Sequence, residues 1–203
     1  MIKLIIFDLG GVVISIPEYK YFDYLAREND VSPYLVERII SISAPVLESG
    51  KISLSEFQDN MGREFGMPSG KVGWLTFFKK RAKLDEDVIT IVESLSKNYK
   101  IAFLSNIDKW RYDYVIKHIM AGVLHLFSYK FASFRLGSVK PSPRIYREVL
   151  KRTRFRSSEV IFIDNNYENV EGARSVGMKS IKFSNPKRLA LELKKFGIKL
   201  ESV

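Results

Sequence analysis

The sequence contains no cysteine and only two histidines. The absence of cysteine excludes disulfides, thiolate metal sites and a cysteine nucleophile together, and it is compatible with a reducing compartment. His118 and His125 lie outside every motif that follows, so neither is given a catalytic role. Any catalysis must therefore use oxygen groups or the nitrogen groups of other side chains.

Long apolar runs are also absent. No stretch approaches the roughly 18 uninterrupted apolar residues typical of a transmembrane helix. The first residues lead directly into an apolar strand pattern, which leaves no room for a secretory signal peptide. We therefore expect a cytoplasmic protein with no membrane partner. The 203 residues are 46% hydrophobic, enough to bury one substantial core with or without a small accessory domain.

The net charge of +10 is distributed unevenly along the chain. Residues 1–82 contain 10 basic and 10 acidic residues, so the whole excess lies in residues 83–203. The basic clusters fall at the ends of predicted helices, where cations interact favourably with the helix dipole and with water. This pattern favours a solvated surface that attracts a small anionic molecule, and nucleic acid is not the expected partner.

Two kinds of hydrophobic periodicity divide the chain. Residues 4–7 form a short apolar run, after which residues 17–82 show only helical periodicity. From residue 83 onward strands and helices alternate, which is typical of a parallel α/β sheet. The first strand must join this sheet, because an isolated buried strand has nothing to pair with in a helical segment. The sequence thus predicts a core of residues 1–14 and 83–203 with residues 15–82 inserted as a helical cap.

The first strand ends on a single acidic residue, Asp8, which is followed by Gly10 and Gly11. A charge in a buried parallel strand is costly unless it sits at the open carboxyl end, where α/β proteins bind their ligands. Asp and Gly are also common turn residues after any strand. Taken alone, Asp8 is therefore either a turn residue or a candidate nucleophile.

Three later segments carry further polar groups at strand ends. Ser105 and Asn106 follow the strand predicted at 100–104, where they can hold phosphate oxygens or simply cap a helix. Lys140 lies in a loop bracketed by prolines, where it is either an exposed lysine or a fixed ammonium that neutralises a phosphoryl group. Asp164 ends another apolar strand. Two carboxylates at the ends of adjacent parallel strands suit Mg²⁺ and would repel each other without a cation.

These four segments, in this order, resemble the motifs of the haloacid dehalogenase superfamily. The resemblance covers nearly the whole chain and is greatest to phosphatases with a helical cap that act on small sugar phosphates. It implies a Rossmann-like parallel sheet in the core. The motifs stand here as Phe7-Asp8-Leu9-Gly10-Gly11-Val12, Leu104-Ser105-Asn106, Lys140-Pro141 and Ile163-Asp164-Asn165.

The resemblance implies phosphoryl transfer in two steps, in which Asp8 attacks phosphorus and water then hydrolyses the aspartyl-phosphate. Catalysis is expected to depend on Asp8 and on the positive charge of Lys140. The other implied roles are Mg²⁺ binding by Asp8, Asp164 and the Gly10 carbonyl, phosphate binding by Ser105, Asn106 and Lys140, and support of the metal ligands by Asn165 and Asn169.

Two residues depart from the family pattern. Most phosphatases of this superfamily have an acid/base Asp where this chain has Gly10, so we expect a slow enzyme; general acid–base catalysis typically contributes about 100- to 10,000-fold. Asn165 stands where a second Asp is expected, which predicts weaker Mg²⁺ binding. Two alternative functions follow from these departures and from the fold: a metal-independent haloacid dehalogenase-type hydrolase, and a catalytically weak module that binds a phosphorylated ligand or a partner.

Overall fold

A five-stranded parallel sheet forms the centre of the computed structural model, which describes residues 1–16, 18–64 and 74–200. Its strand order is β5 (Tyr129–Ala132), β4 (Lys100–Ser105), β1 (Leu4–Phe7), β6 (Val160–Asp164) and β7 (Lys179–Lys182), so the first strand of the chain lies in the middle. All four pairings are parallel.

Helices cover both faces of this sheet, and the alternation of side chains along β1 shows why. Ile5 and Phe7 belong to the apolar cluster on one face, whereas Leu4 and Ile6 belong to the cluster on the other. A strand buried on both faces is therefore apolar throughout. The flanking helices are α5 Glu86–Ser96, α6 Lys109–Tyr114, α7 Ser133–Leu136, α8 Pro143–Thr153, α9 Tyr167–Arg174 and α10 Pro186–Lys195.

The predicted α/β class and parallel core are confirmed, with one local correction. The pattern predicts a continuous helix over 108–120, but α6 ends at Tyr114 and the chain continues as a π-helical turn, Val115–Ile119. Hydrophobic spacing cannot distinguish these two kinds of turn in so short a segment. Within the described ranges, no helix is both long and apolar enough to cross a membrane.

A short antiparallel ribbon connects the sheet to the helical segment. Strand β2, Ile14–Ser15, pairs with β3, Lys83–Leu84. Neither strand is predicted from the sequence, because two residues are too few for a period-2 pattern. The ribbon lies where the predicted boundaries fall, and the division into core and cap itself stays a prediction.

In the described residues between β2 and β3 there are four helices. They are α1 Glu18–Asn29, α2 Pro33–Glu48, α3 Leu54–Glu64 and α4 Trp74–Arg81. Residues 17 and 65–73 of the predicted cap fall outside the described residues. The helices have an apolar cluster of their own, formed chiefly by Tyr21, Leu25, Val36, Ile40, Phe57 and Met61.

Candidate active site

The sheet register brings three of the predicted strand ends together. Phe7 pairs with Phe103 of β4 on one side and with Ile163 of β6 on the other. The backbone N–H of Asp8 donates to the carbonyl of Ile163 at 2.8 Å. Asp8 therefore follows the central strand directly, with Asp164 beside it on β6.

Lys140 joins the two carboxylates. Its Nζ lies 2.7 Å from Oδ1 of Asp8 and 2.7 Å from Oδ2 of Asp164. All three side chains are buried, with Lys140 only 3% exposed. A lysine is rarely buried without partners. Although Lys140 lies in a loop, its side chain is therefore buried, and its ammonium is shared between two acids.

The electrostatics of this triad follow from burial and from the arrangement of charges. Burial, reinforced by the nearby Asp164 carboxylate, raises the pKa of Asp8 to about 7 against the lowering effect of Lys140. Burial alone would lower the pKa of Lys140, but Asp8 and Asp164 outweigh it and hold that pKa above its ordinary value. The ammonium is thus retained, while the two acids compete for a single positive charge.

Asp164 is held from the side of α9. The Nδ2 amide of Asn169 lies 3.1 Å from each Asp164 carboxylate oxygen, and the backbone N–H of Asn166 donates to Oδ1 at 2.7 Å. Asn169 is itself buried. The structure therefore places Asn169 in contact with one predicted metal ligand, and the Asn166 backbone adds a second hydrogen-bond donor to it.

The other predicted supporting residue, Asn165, occupies a different place. Its side chain lies against Gly11, where an added Cβ would come within 2.2 Å of its Nδ2 atom. Gly11 also has a φ of +74°, a conformation that favours glycine. Asn165 is exposed and has no hydrogen bond to Asp164 in the described part of the chain. Its amide thus packs over the turn that follows Asp8.

Ser105 and Asn106 lie at the end of β4, facing the same cleft. Asn106 Nδ2 donates to the carbonyl of Lys140 at 2.9 Å, and its Oδ1 accepts the Lys140 N–H at 2.8 Å. One N–H of the Asn106 amide remains for a ligand. Ser105 is 4% exposed, and among the described residues its hydroxyl has no hydrogen-bond partner. A buried hydroxyl without a partner is available to donate to a ligand oxygen.

Gly10 lines the cleft beside Asp8. A Cβ built on Gly10 meets no atom of the described residues within 4 Å, and its φ is not positive. Neither steric crowding nor backbone conformation therefore requires glycine there. A larger side chain at position 10 would therefore have room at its Cβ in the cleft beside Asp8.

The cleft encloses about 220 Å³ and contains residues that the motif analysis did not assign. Chief among them are Arg111 of α6 and Glu48, the last residue of α2, joined by an ion pair of 2.7 Å between Nη2 and Oε1. Arg111 also bonds to Asp108 through Nε. Glu48 lies directly before the turn Ser49-Gly50 at the end of α2. Nothing in the sequence indicates that Arg111 lines the cleft, since a basic residue three positions after an acid is common on a helix.

Glu48 is also held in place through its backbone. Its carbonyl accepts a hydrogen bond from Ser133 Oγ at 2.5 Å, and Ser133 Oγ in turn accepts the N–H of Ile107 at 2.9 Å. Ser133 is fully buried at the start of α7. The end of α2 is therefore hydrogen-bonded to the start of α7, which in turn binds the loop after β4, close to the phosphate-binding candidates.

The fold and the four segments at the sheet edge define a class of protein. A model of the haloacid dehalogenase-like hydrolases matches residues 2–177, and the chain belongs to this family. It is similar to the D-ribitol-5-phosphate phosphatase of Bacteroides thetaiotaomicron, with 28% identity over 195 residues, covering 91% of this chain and 93% of that one. It is likewise similar to the sesquiterpene phosphatase astK of Aspergillus oryzae, with 27% identity over 195 residues and 95% of each chain covered.

A solved structure shows the same fold. A HAD family enzyme from Bacteroides thetaiotaomicron, crystallised as the wild-type protein with magnesium and inorganic phosphate, superposes with a TM-score of 0.72. The two sequences are 22% identical, and the match covers 91% of this chain and 95% of that chain. The predicted fold and family are therefore confirmed.

Proposed function

We propose that this hydrolase is a Mg²⁺-dependent phosphatase of a small phosphorylated metabolite and that it acts through an aspartyl-phosphate on Asp8. One observation carries the proposal: the buried Asp8 carboxylate shares an ammonium with a second buried carboxylate at the edge of a cleft. The phosphatases among the relatives support the reaction class. The sugar phosphates predicted from the sequence are the first substrates to test.

In the first step, a carboxylate oxygen of Asp8 attacks phosphorus and the bond from phosphorus to the ester oxygen breaks. Oδ1 accepts the Leu9 N–H at 2.7 Å and lies beside Lys140, which fixes the carboxylate. The Lys140 ammonium offsets the charge that accumulates on the phosphoryl group, and Ser105 and Asn106 donate to its oxygens. These are positioning and electrostatic tasks, which dominate phosphoryl transfer.

In the second step, water attacks phosphorus and the bond to Asp8 breaks, which releases inorganic phosphate and restores the carboxylate. The leaving alkoxide takes a proton in the first step, and the attacking water gives one up in the second. With Gly10 beside the nucleophile, solvent water carries these protons. This arrangement accounts for the slow turnover that we expect.

The residues present fit a hard divalent cation. Asp8 Oδ2 has no hydrogen-bond partner among the described residues, so one buried carboxylate oxygen is free to act as a ligand. Asp8 and Asp164 would hold the ion together with the Gly10 carbonyl, and water would complete the set, since Mg²⁺ is usually bound by one or two carboxylates. The described residues contain no cluster of three acidic or histidine side chains, so no richer ligand set competes. When bound, the ion supplies charge neutralisation between nucleophile and phosphate.

We further propose that residues 15–82 act as the cap over this cleft and that the protein functions in the cytoplasm. The position of Glu48 supports the first point, because it brings a charged side chain of the helical segment to the cleft. The absence of cysteine is compatible with the second.

The test is phosphate release from a panel of small phosphomonoesters, measured with and without Mg²⁺. We expect release that chelation abolishes and added Mg²⁺ restores, with a weaker Mg²⁺ affinity than a site with a second Asp at position 165 would have. Titration of the Asn165→Asp variant gives the matched comparison. Halide release from 2-haloacids in the presence of chelator would instead identify a dehalogenase. Binding of phosphomonoesters without turnover would identify a phospho-ligand module.

The Gly10→Asp variant is expected to increase kcat by about tenfold or more, since it restores part of a general acid–base contribution. The open space around Gly10 accommodates the added side chain. The Gly10→Asn variant is the matched control, because it fills the same space without a group that transfers protons at neutral pH. Equal rates for the Asp and Asn variants would show that proton transfer at this position does not limit turnover.

A further inference from the structure

A second cavity opens beside the cleft and extends into the helical segment. It encloses about 430 Å³, which falls within the range of about 300–1,000 Å³ typical of small-molecule sites. It shares with the cleft the residues Ile16, Glu48, Phe78, Arg111 and Asn166. The two cavities are therefore neighbours along one wall, and we refer to the second as the leaving-group chamber. For a phosphate bound at Asp8, this chamber is a neighbouring space that the rest of the ester could occupy.

The chamber is lined mainly by apolar side chains of α1, α2 and α4. Phe22 and Phe77 are partly buried at its wall, and Tyr21 and Ile40 are buried there. Tyr21 and Phe77 lie in ring contact, with centroids 5.2 Å apart. Such a wall offers dispersion contacts and few hydrogen bonds. A polyhydroxylated leaving group would lose hydrogen bonds to water on entering it, whereas an apolar group would gain from burial.

The charges around the chamber exclude a second anionic group on the ligand. Among the residues that the structure describes, its charged lining residues are Glu37, Glu48 and Arg111, two acids and one base. The Arg111 guanidinium is already bound by Glu48 and by Asp108, which hold its pKa above the ordinary value although burial acts in the opposite direction. No uncompensated positive charge therefore faces the chamber from these residues. A carboxylate or second phosphate placed there would meet excess negative charge.

We propose that the leaving-group chamber binds the uncharged, largely apolar alcohol part of the phosphomonoester that this site hydrolyses. The inference rests on the proposed phosphatase activity, and it replaces the sugar phosphates expected from the sequence with a different class of phosphomonoester. Phosphate esters of apolar alcohols are preferred over those of polyols and over esters with a second anionic group. Ala44 and Ser41, on successive turns of α2, line the chamber and are the positions from which it can be filled.

The test measures equilibrium binding of non-hydrolysable alkylphosphonates in the presence of Mg²⁺. Each methylene buried in the chamber is worth about fourfold in affinity, so hexylphosphonate is expected to bind at least about tenfold more tightly than ethylphosphonate. An ω-carboxyalkylphosphonate of the same length is expected to bind at least about tenfold more weakly than hexylphosphonate, because its carboxylate meets Glu37 and Glu48. Affinity that is independent of chain length, or no binding of any of these phosphonates, overturns the inference.

Two variants locate the binding. Ala44→Leu and, independently, Ser41→Leu fill the chamber, and each is expected to weaken hexylphosphonate binding about fivefold or more while ethylphosphonate binding changes little. Val46→Leu is the control, because Val46 lies on the same helix at 37% exposure and does not line the chamber. Ser41 is exposed, so its replacement leaves the packing of the helices intact. Equal loss of hexylphosphonate binding in the control and in both filling variants would contradict the proposed location.

Hydrolysis of the matched phosphate esters separates this inference from the proposed function. Release of phosphate from hexyl phosphate in preference to ribitol 5-phosphate supports both. Release of phosphate from both esters without this preference overturns the proposed substrate class but leaves the proposed phosphatase activity standing. If phosphonate binding depends on chain length but no phosphate is released from the esters, the proposed phosphatase activity is overturned. The chamber would then be the apolar part of a site that binds a phosphorylated ligand.

Discussion

The Asp8→Asn variant is expected to lose phosphate release by about 1,000-fold or more in kcat, the scale on which removal of a covalent nucleophile acts. The amide keeps the shape of the carboxylate but lacks the oxyanion that attacks phosphorus. It also removes one of the two carboxylates available to Mg²⁺. Measurement of phosphate release with saturating Mg²⁺ and substrate isolates kcat from weaker binding.

This loss can be assigned to chemistry because the variant is expected to fold. Lys140 keeps Asp164 as a partner at 2.7 Å, so the substitution leaves no buried ammonium unpaired. Burial raises the pKa of Asp8 from 3.8 to about 7 in the folded protein, so the folded state holds a proton that the unfolded chain releases between these values. The contribution of Asp8 to stability therefore falls as pH rises through this window, and a neutral Asn avoids that cost at pH 8.

The control measurement is thermal unfolding at pH 8 without Mg²⁺, where the Asp8→Asn variant should match or exceed the parent protein. Mass spectrometry excludes reversion of Asn to Asp by deamidation, and Asp8→Ala provides a variant that cannot revert. Turnover that survives in both variants would refute the assignment of Asp8 as nucleophile.

The Lys140→Met variant is expected to lower the free energy of unfolding by about 3–5 kcal/mol, because it leaves two buried carboxylates without their shared cation. Methionine retains most of the side-chain volume, so the effect reports charge and not a cavity. Phosphate release should fall as well, since the ammonium no longer offsets charge on the phosphoryl group.

Urea unfolding at pH 8 in the absence of Mg²⁺ checks this expectation. The loss should shrink at pH 5, where the raised pKa of Asp8 allows that carboxyl to be protonated in the folded protein. Lys109→Met is the control: Lys109 pairs with Asp113 on the surface, and the Lys109 side chain is 76% exposed, so its loss should cost no more than about 1 kcal/mol. Equal effects of the two substitutions would show that Lys140 does not neutralise the acids.

The parts of the molecule that could be predicted from the sequence are those that depend on short local sequence patterns. Apolar runs that end on Asp8 and Asp164 predict both the strands and their neighbouring ends, because parallel strands place their carboxyl ends at one edge of the sheet. The ribbon of β2 and β3 is too short to leave such a pattern. The pair of Glu48 and Arg111 could not be predicted either, since its members lie 63 positions apart in segments of different periodicity. The contact of the Asn165 amide with Gly11 could not be predicted, because the residue type says nothing about which neighbour the amide faces.

The exchange of hydrogen bonds between the Asn106 side chain and the backbone of Lys140 has a consequence for how the site is built. Those bonds use the backbone of residue 140 and none of its side chain. The backbone atoms of Lys140 therefore anchor the loop, while its side-chain ammonium supplies the charge. A chain with a different side chain at position 140 could keep the anchored loop and lose only the charge, so the shape of this site and its electrostatic character are separable by substitution.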